Sequence, residues 1–405
     1  MTISEAQTER PAAESAAMAV VFALSACHFL NDLMQSMLAA IYPMLKDNYG
    51  LSFGQIGLLT LTFQVTASLL QPLIGAYADK RPLTYSLPVG MAFTFIGLIM
   101  LAYAGHFGLL LLAAGAIGLG SAVFHPESSR VARLASGGRH GTAQSIFQVG
   151  GNLGSAAGPL LAAFIVLPAG QTSVAWFSVA ALLGITALTW VSRWYGRYRA
   201  RAASRAVREP VDHCLTKRRV IIALTFLALL VFSKYIYMAS ITSYYIFYLT
   251  DRFAMSVQQA QIYLFLFLGA VAFGTLIGGP IGDRIGRRSV IWCSILGVLP
   301  FTLALPYADL YWTAILSVII GVVLASAFPA IVVFAQELVP TRVGMVAGLF
   351  FGFAFGMSGI SAAVLGQIAD ARGIAYVYTI CSFLPLLGLL TVFLPDTRRR
   401  SAAAG

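Results

Sequence analysis

A chain of 405 residues that is 59% hydrophobic and 10% charged, with a mean hydropathy of +0.83, has too little polar surface to fold as a soluble protein. The bilayer must be its solvent, and a net charge of +11 then reads as membrane topology and attraction to anionic head groups. A nucleic-acid binder would need a folded basic face, and none is patterned in the sequence.

Apolar runs of roughly 20 residues cross a bilayer as helices. Twelve such runs are expected, over residues 18 to 45, 54 to 76, 84 to 104, 107 to 136, 142 to 168, 171 to 193, 220 to 250, 257 to 281, 288 to 308, 310 to 337, 343 to 369 and 374 to 394. They predict an all-α integral membrane protein. Its segments are a cytoplasmic tail (1–17), a six-helix half (18–193), a basic cytoplasmic linker (194–219), a second six-helix half (220–394) and a cytoplasmic tail (395–405). The polar first 17 residues carry no cleavable signal pattern, because the apolar run that follows is too long for a signal h-region.

In the first run, His28, Asn31, Asp32 and Gln35 share one face by the three, four and seven spacing of a helix. Ionisable groups at membrane depth cost several kcal/mol unless they meet water or a partner, so such a face marks a candidate proton or substrate site. The loop after the second run carries Gly75, Asp79, Lys80 and Arg81. The fourth run contains Phe124, His125, Pro126 and Glu127, two titratable groups beside a proline that must break a backbone hydrogen bond.

The fifth run has Gly150, Gly154, Gly158 and Pro159, glycines at every fourth position that give a flat seam for close backbone packing. Gln144, Gln148 and Asn152 recur at the same spacing; residue 148 lies about 200° round from residue 150, so the three amides form the opposite face and are expected to line a cavity. The stretch Arg193 to Arg219 has nine Arg or Lys and reads as a linker with an amphipathic segment on the membrane surface. The seventh run places Lys234 near its middle with Tyr237, Tyr244, Tyr245 and Tyr248 on one stripe, where a cation flanked by hydroxyls suits an anionic or zwitterionic substrate. Cys27, Cys293 and Cys381 fall in spans and Cys214 in the linker, which is no disulfide framework.

After the eighth run come Gly279, Asp283, Arg284, Gly286, Arg287 and Arg288, and these repeat the loop after the second. Ser52, Gln55, Gly75 and Asp79 recur as Ser256, Gln259, Gly279 and Asp283, each 204 residues later, and Pro126 recurs as Pro329. A repeat that long is a half-molecule, and two equivalent membrane halves indicate a transporter with its site between them. With both termini placed inside, 22 of the 26 Lys and Arg fall on the inner side, a strong positive-inside bias.

The repeated loop resembles the G-x-x-x-D-R-x-G-R-R signature of the major facilitator superfamily, with Pro82 standing where the first copy should have glycine. By that resemblance the fold is the major facilitator fold, twelve helices in two pseudo-symmetric halves. Gly75, Asp79, Gly279, Asp283, Arg284, Gly286 and Arg287 would then form a conformational latch. Physically, a glycine near a helix end permits close approach, an Asp can cap a neighbouring helix amino terminus, and Arg can pair with it. Gly150, Gly154, Gly158 and Pro159 resemble the G-x-x-x-G-P packing motif of antiporters.

The runs His28 to Asp32, Phe124 to Glu127 and Gln144 to Gly154 resemble the fosmidomycin-resistance branch, which implies a bacterial inner-membrane exporter driven by protons. Many superfamily members carry an Arg four residues before the position of Gly118; Ala114 stands here, and His125 with Glu127 is expected to replace it. The expected mechanism has Asp32, Glu127 and His125 coupling protons. His28, Asn31, Gln35, Gln148, Asn152, Lys234, Tyr237, Tyr244 and Tyr245 contact a small-molecule substrate. No cofactor or metal is expected, and the chain is expected to act as a monomer. An uptake symporter for a small organic anion is the alternative, and a sensor that keeps the transporter fold a remote one. No H-E-x-x-H, G-x-S-x-G or phosphate-loop pattern points to an enzyme.

Overall fold

The computed structural model describes residues 3–51, 53–204 and 216–395, and every regular element among them is helical. The chain winds through α1 (Ile3–Ala40), α2 (Phe53–Gln64, a π turn Val65–Leu69, then Gln71–Lys80), α3 (Ser86–Ala102), α4 (Phe107–Ala135), α5 (His140–Leu161, then a π turn Ala162–Val166) and α6 (Ser178–Ser204). It continues through α7 (Lys217–Phe253), α8 (Val257–Ile285), α9 (Arg287–Ile295 and Leu299–Ala304), α10 (Leu310–Ala325 and Ala327–Leu338), α11 (Val343–Arg372) and α12 (Ile374–Cys381 with a 3-10 stretch Leu384–Phe393).

Local chemistry sets several of these boundaries. Ser256 and Gln259 form a reciprocal capping box that starts α8, and Asp309 accepts from the Trp312 amide at 2.9 Å to start α10. Gly286, at φ +97°, ends α8 and lets α9 begin at once, a backbone turn that a side chain would strain. Pro126 stays inside α4, where it removes one ladder donor without ending the helix.

Ten helices among the described residues are long and apolar enough to cross a membrane. Both of the other expected spans are helical. Helix α3 has 17 residues, about 26 Å of rise, just short of a full hydrocarbon core. Helix α5 is long enough, but Gln144, Gln148 and Asn152 dilute its apolar character.

Two boundaries differ from expectation. Helix α1 runs on from Ile3, so the predicted tail joins the first span. Helix α6 continues through Ser204, some three turns past residue 193, because Ala and Arg are good helix formers and nothing between them breaks the ladder. The rest of the expected linker through residue 215, with Cys214, lies outside the described residues.

Packing divides the chain into two compact units, one of Met1–Cys214 with Thr341–Leu349, the other of Leu215–Pro340 with Phe350–Gly405. In the first, α1 lies against α5 along the glycine seam. In the second, Tyr237, Ile241, Tyr245, Tyr248, Phe267 and Tyr378 build an apolar core among α7, α8 and α12.

Candidate functional site

The first unit buries a cluster of titratable side chains where α1, α4 and α5 meet. His28 on α1 places Nδ1 2.7 Å from the Phe147 carbonyl of α5, and its ring stacks on Phe147 at 4.1 Å. His125 on α4 places Nδ1 3.0 Å from the Ser121 carbonyl of its own helix. A carbonyl can only accept, so His28 Nδ1 must carry the hydrogen and donate. His125 Nδ1 also lies 3.2 Å from the Ser121 hydroxyl, which can donate to it, so His125 can hold its hydrogen on either nitrogen. Nε2 of a neutral His28 is then left with a lone pair.

The two Nε2 atoms face each other at 3.2 Å, and Asp32 lies beside both, Oδ2 3.3 Å from His28 and Oδ1 3.4 Å from His125. Two imidazole nitrogens and a carboxylate in mutual contact repel unless at least one hydrogen lies between them. A hydrogen on His125 Nε2 meets that need with both rings neutral, and an added proton would charge one imidazole and pair it with Asp32. Asn31 donates to Asp32 Oδ1 at 3.1 Å and helps fix the carboxyl. One donor atom from each of His28, Asp32 and His125 lies within 4.8 Å of the others, so two imidazoles and a carboxylate could equally enclose a metal ion.

Glycines make room for this cluster. A Cβ at Gly150 or Gly154 would collide with the backbone carbonyls of Ser25 and Phe29, and one at Gly158 with the Ser36 hydroxyl, so these three hold α5 against α1 as the spacing predicts. Pro159 belongs to the same helix, with its side chain outside the described residues. Gly151, which the four-residue pattern passes over, stands closest to the chemistry: a Cβ there would meet the His28 ring and lie 2.8 Å from Asp32 Oδ2.

Not every expected residue joins the cluster. Glu127 is two positions after His125, about 200° round the helix, so the two cannot share a face. Instead Glu127 Oε2 accepts from Arg130 Nη2 at 2.7 Å and from the Ser86 hydroxyl at 3.1 Å. The expected His125 and Glu127 pair is therefore corrected to His125 with His28 and Asp32. Gln144 is buried and accepts from the Ser129 hydroxyl at 2.8 Å, which ties it to α4. Gln148 is buried with its carbonyl unbonded, the Gln35 amide nitrogen is also unbonded, and Asn152 is half-buried.

Arg130 links Glu127 to the repeated loop. Its Nη1 donates to the Ala78 carbonyl at 2.7 Å and lies 3.8 Å from Asp79, and its guanidinium stacks 5.6 Å from the Tyr195 ring centre. Asp79 in turn accepts from the Gly344 and Met345 amides at 2.9 and 2.8 Å, capping the amino end of α11. Gly75 allows the approach, since a Cβ there would overlap the Gly344 carbonyl. The basic partner of Asp79 is thus Arg130, while Lys80 and Arg81 are exposed. Sequence spacing could have found it: Arg130 follows Glu127 by three residues on one helix.

In the second unit, Asp283 pairs with Arg287 at 2.6 Å, and Arg287 Nε approaches Glu337 at 3.5 Å, with Gly286 supplying the turn between them. Gly279 is buried and Arg284 exposed. Lys234 is buried, its ammonium donates to the Ala325 carbonyl at 3.5 Å, and it sits 5.3 and 5.2 Å from the rings of Tyr235 and Phe328. No carboxylate of its own unit pairs with it among the described residues. Tyr237 and Tyr245 point into the core rather than round the ammonium, and Tyr244 donates to the Ala362 carbonyl. The aromatic partners of Lys234 are therefore Tyr235 and Phe328, neither of which lies on the predicted stripe.

A chain with these features has well-defined relatives. It is 60% identical over 381 residues to the Fosmidomycin resistance protein of Escherichia coli strain K12, covering 94% of each chain. It is 39% identical to an uncharacterised transporter of Bacillus subtilis strain 168, over 94% of this chain and 93% of that one. Two solved structures share the fold, the outward-facing crystal structure of FucP (TM-score 0.71, 16% identity, 93% of this chain and 99% of that one) and the human organic anion transporter MFSD10 (TM-score 0.73, 18% identity, 94% and 99%). The family model described as Major Facilitator Superfamily matches residues 24–252 and 226–405, so this chain is a membrane transporter, not an enzyme, and belongs to the Major Facilitator Superfamily.

Proposed function

We propose that this protein exports fosmidomycin-type drugs across the bacterial inner membrane in exchange for protons, working as a monomer with both termini in the cytoplasm. The resistance named in its 60% identical relative supports the direction and the substrate class. The observation that carries proton coupling is the buried set of His28, Asp32 and His125, two imidazoles and a carboxyl in mutual contact that can take up and give back a proton. When the halves rock, exposure of this set to the outside loads the proton, and exposure to the cytoplasm releases it. A buried charge that changes with each half-cycle is what makes the two states inequivalent.

Drug enters from the cytoplasm, where Gln35, Gln148 and Asn152 offer polar contacts near the cluster and Lys234 offers a buried cation to an anionic group. Asp79 with Arg130 and Glu127, and Asp283 with Arg284 and Arg287, act as latches that hold one state until substrate and proton release them.

The test is accumulation of fosmidomycin in cells that express the protein, with the proton gradient intact and then collapsed by an uncoupler. Lower accumulation that disappears with the gradient is expected. Gradient-driven gain of solute would establish uptake instead, and a ligand-dependent partner response without any flux would establish a sensor.

A further inference from the structure

Helix α6 carries a second basic site that the transport cycle does not use. A groove of about 530 Å³ opens where its last turns meet the segment before α3, lined by Tyr85, Trp190, Ser192, Arg193, Gly196 and Arg197 among others. The wall is firmly built. Arg199 donates to the Pro82 carbonyl at 2.8 Å and lies 5.7 Å from the Tyr195 ring centre, which pins the segment to the helix. Gly196 lets it come close, because a Cβ there would press on the Thr84 methyl at 3.2 Å.

Within this wall, Arg193 and Arg197 stand one helical turn apart on the same face, both exposed and without a hydrogen bond or ion pair to protein among the described residues. Between them and the helix core, the Ser192 hydroxyl is 1% exposed, lines the groove and has no partner. Buried hydroxyls normally find one. Two free guanidinium groups and an orphan hydroxyl donor together specify an anion with several acceptor oxygens, and phosphate fits the fork of arginine best.

The surroundings specify what bears that phosphate. Tyr85 and Trp190 are half exposed beside the groove, the aromatic signature of a membrane interface. Leu83, Val89 and Leu183, 51%, 53% and 62% exposed, belong to the same segment and helices and offer apolar surface suited to acyl chains. A soluble anion has no use for such a flank. We propose that the groove binds the phosphate of an anionic glycerophospholipid, with Arg193, Arg197 and Ser192 as its donors. Charge pairing with the bilayer here fastens the cytoplasmic end of α6 and the segment after α2. The site is separate from the His28 cluster, so it stands or falls independently of the proposed export.

The test is native mass spectrometry of the delipidated full-length protein in detergent, titrated with phosphatidylglycerol and, separately, phosphatidylcholine of the same acyl length. The wild type should prefer phosphatidylglycerol. At about 1 kcal/mol per basic residue near anionic lipid, Arg193→Gln and Arg197→Gln should each weaken that binding about fivefold, and together about thirtyfold, with phosphatidylcholine unaffected. Both side chains are exposed, so the thermal midpoint should not move. Ser192→Ala should narrow the preference further.

Equal binding of the two lipids by the wild type, or unchanged phosphatidylglycerol binding by the double variant, would overturn the proposal. So would displacement of bound phosphatidylglycerol by millimolar inorganic phosphate, which would make the groove a site for a soluble anion.

Discussion

Replacing Glu127 by Gln separates two roles that the sequence alone merges. Glu127 is buried, its Oε2 accepting from Arg130 at 2.7 Å and from Ser86 at 3.1 Å, with Oε1 unbonded. Glutamine keeps the shape and both acceptor contacts but removes the charge. Losing a buried ion pair outright costs about 3–5 kcal/mol. Arg130 is not abandoned, because Ala78 and Asp79 still face it at 2.7 and 3.8 Å. The loss should therefore approach that of one charge-assisted hydrogen bond, about 2 kcal/mol. In a unit of this size about 2–4 °C accompanies each kcal/mol, so the thermal midpoint in detergent should fall by about 4–8 °C.

Gradient-driven efflux should persist in that variant, since Glu127 lies on the other side of α4 from His125. A double-mutant cycle with Arg130→Gln should then show a coupling of about 1.5–3 kcal/mol. A Glu127→Gln protein with an unchanged midpoint and no proton-driven transport would refute this assignment and return Glu127 to the proton path.

Asp32→Asn should leave the protein in the membrane but abolish uncoupler-sensitive drug efflux; full gradient-driven efflux in the variant would reject the proton site. Gly154→Val should force α1 from α5 against the Phe29 carbonyl, costing about 1–3 kcal/mol, read as a lower thermal midpoint and reduced yield. Asp79→Asn should raise hydrogen exchange at the Gly344 and Met345 amides, which the carboxylate caps at 2.9 and 2.8 Å, and unchanged protection there would exclude the cap. Lys234→Gln should weaken transport of anionic drugs more than of neutral ones, and equal losses would remove it as an anion contact.

The class, the superfamily and most of the helices were legible because membranes write them in simple terms. Apolar length gives spans, and glycine every fourth residue gives the α1 and α5 seam that Gly150, Gly154 and Gly158 form. Asp32 and His28 were legible as one face of one helix. Periodicity along a helix cannot say which neighbour that face meets. For that reason the sequence offers His28 as a substrate contact without showing that it meets Asp32 and His125, and gives Arg130 no partner although it holds Glu127 and faces Asp79. Tyr237 and Tyr245 fell to the same limit: a stripe of tyrosines at helical spacing describes a core as well as a cavity, and only the packing of α7 on α8 and α12 decides between them. Gly151 left no signal because its importance is the room it gives a side chain on another helix.

The seam and the proposed proton site are one device. His28 can donate from Nδ1 to the Phe147 carbonyl only because the glycines bring the α5 backbone against α1, and that bond fixes which ring nitrogen faces inward. Loosen the seam and the His28 imidazole could hold its hydrogen on either nitrogen, so that Nε2 could donate toward His125 or Asp32. Small residues in α5 thus act on the chemistry through backbone distance. A conformational change that slides α1 along α5 by even a fraction of a turn would alter which groups of the cluster can accept a proton before any of them met water. In the proposed cycle, proton release would follow from helix packing as directly as from solvent access.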